Sequence, residues 1–212
     1  MKYKEFINRS ERKDASINDV LHFFSSHFKS VVAFALYKMK FSANLATLLF
    51  GLVGLSSAYS MYVGYYFIGY ILFRLHIIID MADGSIARAK SQFSEYADGY
   101  DKVNHVLVNT CVILALSKDA NYLSLFLILP TFLVYYLFPK LFSKYPKGVN
   151  KSFDSILKTI FKNFLSFEGY ILLQCVNSVL SLNLTSEINI LYGCFFGFLS
   201  LLKYRFMVSH EK

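Results

Sequence analysis

Between Asp80 and His105 the chain carries four aspartates, Asp80, Asp83, Asp98 and Asp101, with Arg88 and His105 interleaved. A largely apolar run from Met61 to Ile79 leads directly into Asp80, so the simplest local structure is a helix continuing through Arg88. At about 100° per residue, Asp80, Asp83, Gly84, Ala87 and Arg88 fall within an arc of about 140°. That face bears two carboxylates, two minimal side chains and a guanidinium. Carboxylates at this spacing suit a hard cation such as Mg²⁺ or Mn²⁺. Gly84 and Ala87 leave room for a ligand to approach the backbone, and Arg88 forks onto phosphate oxygens.

The second half repeats the pattern. On a helix starting near Tyr96, Asp98, Asp101, His105 and Asn109 share one face at spacings of three and four. Two such helices facing each other can close a carboxylate cage around a pair of ions. A charged turn with an aspartate capping a helix start accounts about equally well for Asp98 and Asp101. It does not account for Asp80, because a carboxylate at membrane depth is expensive unless a cation holds it.

The string resembles the signature of the CDP-alcohol phosphotransferase family, Asp-x2-Asp-Gly-x2-Ala-Arg-x8-Gly-x3-Asp-x3-Asp. Asp80, Asp83, Gly84, Ala87, Arg88 and Asp101 match it residue by residue. Ala97 stands where the family has glycine, and His105 where it has its fourth aspartate, the base that also reaches the metals. Ser42-Ala43-Asn44-Leu45-Ala46-Thr47 is similar to the Pro-Asn-x-x-Thr opening of the family's first span, with alanine replacing proline. The resemblance implies Asp80, Asp83 and Asp101 as ligands of Mg²⁺ or Mn²⁺, two ions in all. It implies Gly84, Ala87, Arg88 and Ala97, with Asn44 and Thr47, around the nucleotide. His105 replaces the base, with an ordinary pKa of about 6.5 that leaves it largely neutral at about pH 7. Asp98 is the carboxylate able to stand in for the one the motif lacks.

The implied reaction passes a phosphoalcohol, commonly the phosphatidyl group of CDP-diacylglycerol, to an acceptor hydroxyl with loss of CMP. The acceptor cannot be read from these residues, and a homodimer is the expected assembly. The other reading keeps the scaffold without turnover, as a membrane protein that binds a CDP ligand or a divalent cation. A cation carrier should spread acids along a span, whereas here they cluster at one end.

The elements that must position these residues follow from composition. The chain is 55% hydrophobic with three prolines, and its mean hydropathy is +0.42, which excludes disorder and an ordinary soluble domain. Apolar stretches recur at 43–59, 61–79, 103–116, 122–137, 164–182 and 188–202, several near the length a span needs. The expected fold is all-α: an integral membrane bundle of six transmembrane helices over residues 41–206, with a short cytoplasmic tail at 207–212. Residues 1–40 are expected as an amphipathic interfacial segment, since Asn18–Lys40 mixes Val20, Leu21, Phe23, Phe24 and Phe28 with polar residues. No cleavable leader is expected.

Lys2, Lys4, Arg9, Lys38, Lys40, Arg88, Lys90, the lysines of 140–162, Lys203 and Arg205 fall on one side of such a bundle. Lys118, Asp119 and Glu187 fall on the other. The bias puts the amino terminus and Asp80–Asp101 in the cytoplasm, in the setting of a bacterial inner membrane. The net charge of +8 then reads as topology and attraction to anionic lipid headgroups, not nucleic-acid binding. Arg74 and His76 lie inside the second stretch, His76 one turn before Asp80, where it either supports Asp80 or bonds between helices. Glu168 opens the fifth stretch as an acceptor contact or an interfacial residue. Cys111, Cys175 and Cys194 lack metal spacing.

Overall fold

The computed structural model describes residues 1–10, 20–91, 97–141 and 166–210. Among them are eight helices and no strands. They are α1 (Tyr3–Ser10), α2 (Val20–Lys38), α3 (Ala43–Tyr62), α4 (Tyr66–Lys90), α5 (Ala97–Leu116), α6 (Tyr122–Leu141), α7 (Phe167–Val179) and α8 (Thr185–His210). The all-α expectation holds, and each of the six apolar stretches lies largely within one helix. The six-span bundle is not established by these helices. Among the described residues α3 is the one helix long and apolar enough to cross a membrane by length and composition. The reasons are local: α4 carries the charged motif, and α7 has 13 residues. The lysines at 144–162 lie outside the described residues.

Local chemistry sets the helix ends near the motif. Ser42 caps α3, its hydroxyl accepting from Leu45 N at 3.1 Å. Lys40, at φ 64°, turns the chain between α2 and α3. Helix α4 runs unbroken from Tyr66 through the motif and stops at Ser91 in the left-handed region. Lys90, in its last turn, donates to Phe41 O at 2.7 Å and ties that end to the α2–α3 turn.

Two compact units divide the chain, Met1–Val112 and Ile113–Lys212, so the boundary falls inside α5. In the first, α3 and α4 build a core with Ala46, Phe50, Ile79, Ala82, Ile86 and Ala89. The amino-terminal segment, expected apart at the interface, contributes Phe6, Ala33 and Leu36 to that same core. Those three positions thus have a protein partner, whereas Phe28 and Val31 of α2 are exposed. At Gly54 of α3 both α4 and α5 come close: a Cβ there would lie 2.6 Å from Val108 and 2.8 Å from His76 Nδ1. In the second unit Gly193 of α8 lies against α6, where a Cβ would meet Leu127 Cγ at 2.8 Å.

Candidate metal centre

Helix α4 delivers Asp80 from one side and α5 delivers Asp101 and His105 from the other. Asp101 and His105 are i and i+4, so they share a face of α5. His105 Nε2 lies 3.2 Å from Asp80 Oδ1 and 3.2 Å from Asp101 Oδ1. One ligand atom from each residue lies within 4.8 Å of the other two. All three side chains are partly exposed, at 24% for Asp80, 32% for Asp101 and 19% for His105. The group is therefore sheltered but reachable.

The spacing tests whether a cation fits. Ligand atoms about 2.1 Å from a small divalent ion stand about 3.0 Å apart in octahedral and about 3.4 Å apart in tetrahedral coordination. The two 3.2 Å edges fall between those values. One ring N–H cannot point along both edges at once, and two carboxylates converging on one nitrogen need positive charge. Two oxygens and an imidazole nitrogen thus fit a divalent cation. Nitrogen in that set favours a transition ion over Mg²⁺.

The other motif residues take separate places. Asp83 is one turn along α4, and Thr47 Oγ1 of α3 donates to its Oδ2 at 2.7 Å. Asp83 is therefore held by Thr47 and is not drawn into the Asp80–Asp101–His105 cluster. Asn44 is exposed at the start of α3. Gly84 and Ala87 are partly exposed on the Asp80 face of α4. Arg88 lies over Gly84, whose Cβ would be 3.3 Å from Nη1, and its Nε donates to Ser10 O at 2.6 Å. The backbone of Ala97 and Asp98 opens α5, and their side chains lie outside the described residues.

Beneath the cluster lies an aromatic floor that the motif does not disclose. His76 is buried, with Nδ1 2.8 Å from Phe50 O, which assigns the ring proton to Nδ1. The Phe50 ring packs on both His76 and His105, with centroids 5.2 Å and 5.4 Å away. His76 and His105 meet edge to face at 5.8 Å. Of the two readings of His76, the bond between helices is the one present. Asn104 was also missed; its Nδ2 donates to Thr47 O at 3.1 Å and pins α5 to α3 beside Asp83. A buried histidine one turn before Asp80 and an amide next to His105 were the available signals, and neither names its partner.

A comparison with curated proteins finds no match. A model of the CDP-alcohol phosphatidyltransferase family matches residues 40–182, which covers α3 to α7 and contains every residue of the cluster. That match spans more than half of the chain and agrees with the motif on α4 and α5, so the chain belongs to the CDP-alcohol phosphatidyltransferase family.

Proposed function

We propose that this protein is a working enzyme of its family, moving a phosphoalcohol from a CDP-alcohol to an acceptor hydroxyl with release of CMP. CDP-diacylglycerol is the default donor, and the setting is phospholipid or related envelope synthesis. The observation that carries this is the convergence of Asp80, Asp101 and His105 from two helices, next to Gly84, Ala87 and Arg88.

Asp80, Asp101 and His105 would hold a divalent ion, Mg²⁺ or Mn²⁺, and Asp83 would serve a second. Bound there, such ions offset charge on the donor's diphosphate and on the phosphate that leaves. Arg88 meets the diphosphate, and Gly84 and Ala87 let the cytidylyl half lie against α4. Asn44, Thr47 and Ala97 border that half, Thr47 by holding Asp83 in place. Because His105 Nε2 faces both carboxylates, Asp98 is assigned to take the acceptor's proton. For His105 to act as the base, Nε2 must first leave Asp80 and Asp101.

The proposed setting is a bacterial inner membrane, crossed six times, with amino terminus and site cytoplasmic and the chain paired as a homodimer. The test is CMP release from CDP-diacylglycerol by purified protein, with Mg²⁺ or Mn²⁺, across a panel of alcohols. Release that requires both an alcohol and the ion supports the enzyme. His105 in place of the family's last aspartate favours one alternative, a site that binds a CDP ligand without turnover. CDP binding without release for every alcohol, with release restored by His105→Asp, would establish that alternative.

A further inference from the structure

Helix α1 is eight residues long and rich in polar side chains, and such a helix is marginal in water. Its order comes from docking. Phe6 is fully buried, packing edge to face on Phe34 at 5.6 Å and against Tyr37 at 5.2 Å. Tyr3 adds a second edge contact with Phe34 at 5.1 Å. At the first turn, Lys2 N donates to Glu5 Oε2 at 3.0 Å. Docking in this way brings the carboxyl end of α1, at the buried Ser10, against α4.

Ser10 O, on the last described residue of α1, accepts from Arg88 Nε at 2.6 Å, across 78 residues of sequence. Nε is the inner nitrogen of the guanidinium. With Nε engaged, the edge that can fork onto a phosphate is the outer one, Nη1 and Nη2. Nη2 is steadied by Ser85 Oγ at 3.3 Å, and Nη1 passes over the bare Cα of Gly84. The motif's glycine thus gives room to the motif's arginine.

We infer that α1 is a strut of the nucleotide site: its Ser10 carbonyl holds Arg88 by Nε and so aims the outer guanidinium edge at the diphosphate of a cytidine diphosphate ligand. This rests on the function proposed above. Helix α1 is a positioning element; it acts through Arg88.

The test is a double-mutant cycle read by CDP binding, using full-length protein, CDP itself as probe and Mn²⁺ present. Asn8→Pro breaks the last turn of α1 at an exposed position and leaves Phe6 in place. Phe6→Ala undocks the helix by a different route. Each should weaken CDP binding about tenfold in the parent background, the scale of a hydrogen bond to a charged group. In an Arg88→Lys background, which lacks Nε, each should change CDP binding by less than about twofold. Mn²⁺ affinity, read by its paramagnetic resonance signal, should stay constant throughout, which separates loss of aim from loss of fold. Equal weakening in both backgrounds, or unchanged CDP binding in the parent, would overturn the strut. Tighter CDP binding would overturn it in favour of a helix that restrains Arg88. If the parent binds no CDP, the proposed function fails and the strut with it. If the parent binds CDP and Arg88→Lys weakens it while the α1 variants do not, the strut alone fails.

Discussion

Each compact unit sets a polar cluster among apolar helices, and the two clusters differ in kind. In the first, two carboxylates and an imidazole, all partly exposed, converge at 3.2 Å on facing sides of α4 and α5. In the second, Ser117, Tyr170, Gln174 and Asn189 are buried. There Asn189 Oδ1 accepts from Tyr170 Oη at 3.0 Å and Gln174 Nε2 at 2.8 Å, and Asn189 Nδ2 donates to Ser117 Oγ at 3.0 Å. These neutral groups bond one another directly, with Gln174 Oε1 the one atom of the four side chains buried without a hydrogen-bond partner. Carboxylates carry no donors of their own, and the single His105 Nε2 between Asp80 and Asp101 can donate along one edge at a time, whereas a bound divalent cation would meet both. Burial with mutual bonding marks a lock between helices, and like charges converging at a reachable surface mark a site.

The contrast breaks most sharply if the acids are neutralised. Asp80→Asn or Asp101→Asn should lower CMP release about a thousandfold, the scale of losing a key electrostatic contact at a reacting centre. Each should also abolish high-affinity Mn²⁺ binding in a direct titration, with helix content by circular dichroism unchanged. Retained Mn²⁺ affinity in both variants would make the first cluster another lock.

The neutral cluster should respond in the opposite sense. Asn189→Leu strands Tyr170, Gln174 and Ser117 inside the protein, and should cost about 2–4 kcal/mol of stability, read by chemical unfolding in detergent. CDP and Mn²⁺ affinities should not move. A loss of ligand affinity without a loss of stability would mean that the second cluster is also a site.

A finer test concerns which ion the first cluster prefers. His105→Asp replaces its one nitrogen by oxygen, so the ratio of Mn²⁺ to Mg²⁺ affinity should fall about tenfold in competition titrations. An unchanged ratio would place His105 outside the coordination sphere. The smallest effect is expected for Thr47→Val, which keeps the shape and removes the hydrogen bond to Asp83. A rise of about threefold in the KM for the CDP-alcohol, with stability kept, matches one lost hydrogen bond.

What could be read in advance was whatever depends on helical spacing. Asp80, Asp83, Gly84, Ala87 and Arg88 share a face because they belong to one uninterrupted helix, and Asp101 and His105 pair because they are four apart. Contacts between distant segments were not legible. Nothing in the residues around Arg88 points to Ser10, and nothing around His76 points to the carbonyl of Phe50. Residues 1–40 read as an interfacial segment from amphipathic patterning, which fits a lipid surface and a protein surface alike: Phe28 and Val31 are exposed, whereas Phe6, Ala33 and Leu36 pack in the core. Phe6 settles on α2 and α4 because an aromatic socket is there.

The close crossing at Gly54 has a consequence for inheritance. A residue with no side chain has no chemistry to lose, yet a single added methyl group would collide with Val108 and with the ring of His76 at once. Among random variants selected for growth, Gly54→Ala should therefore be purged as strictly as changes to the acids themselves. A lineage could accept it only after Val108 had become smaller and the His76 ring had given way, so the order of these changes would be written into any descendant that carried them.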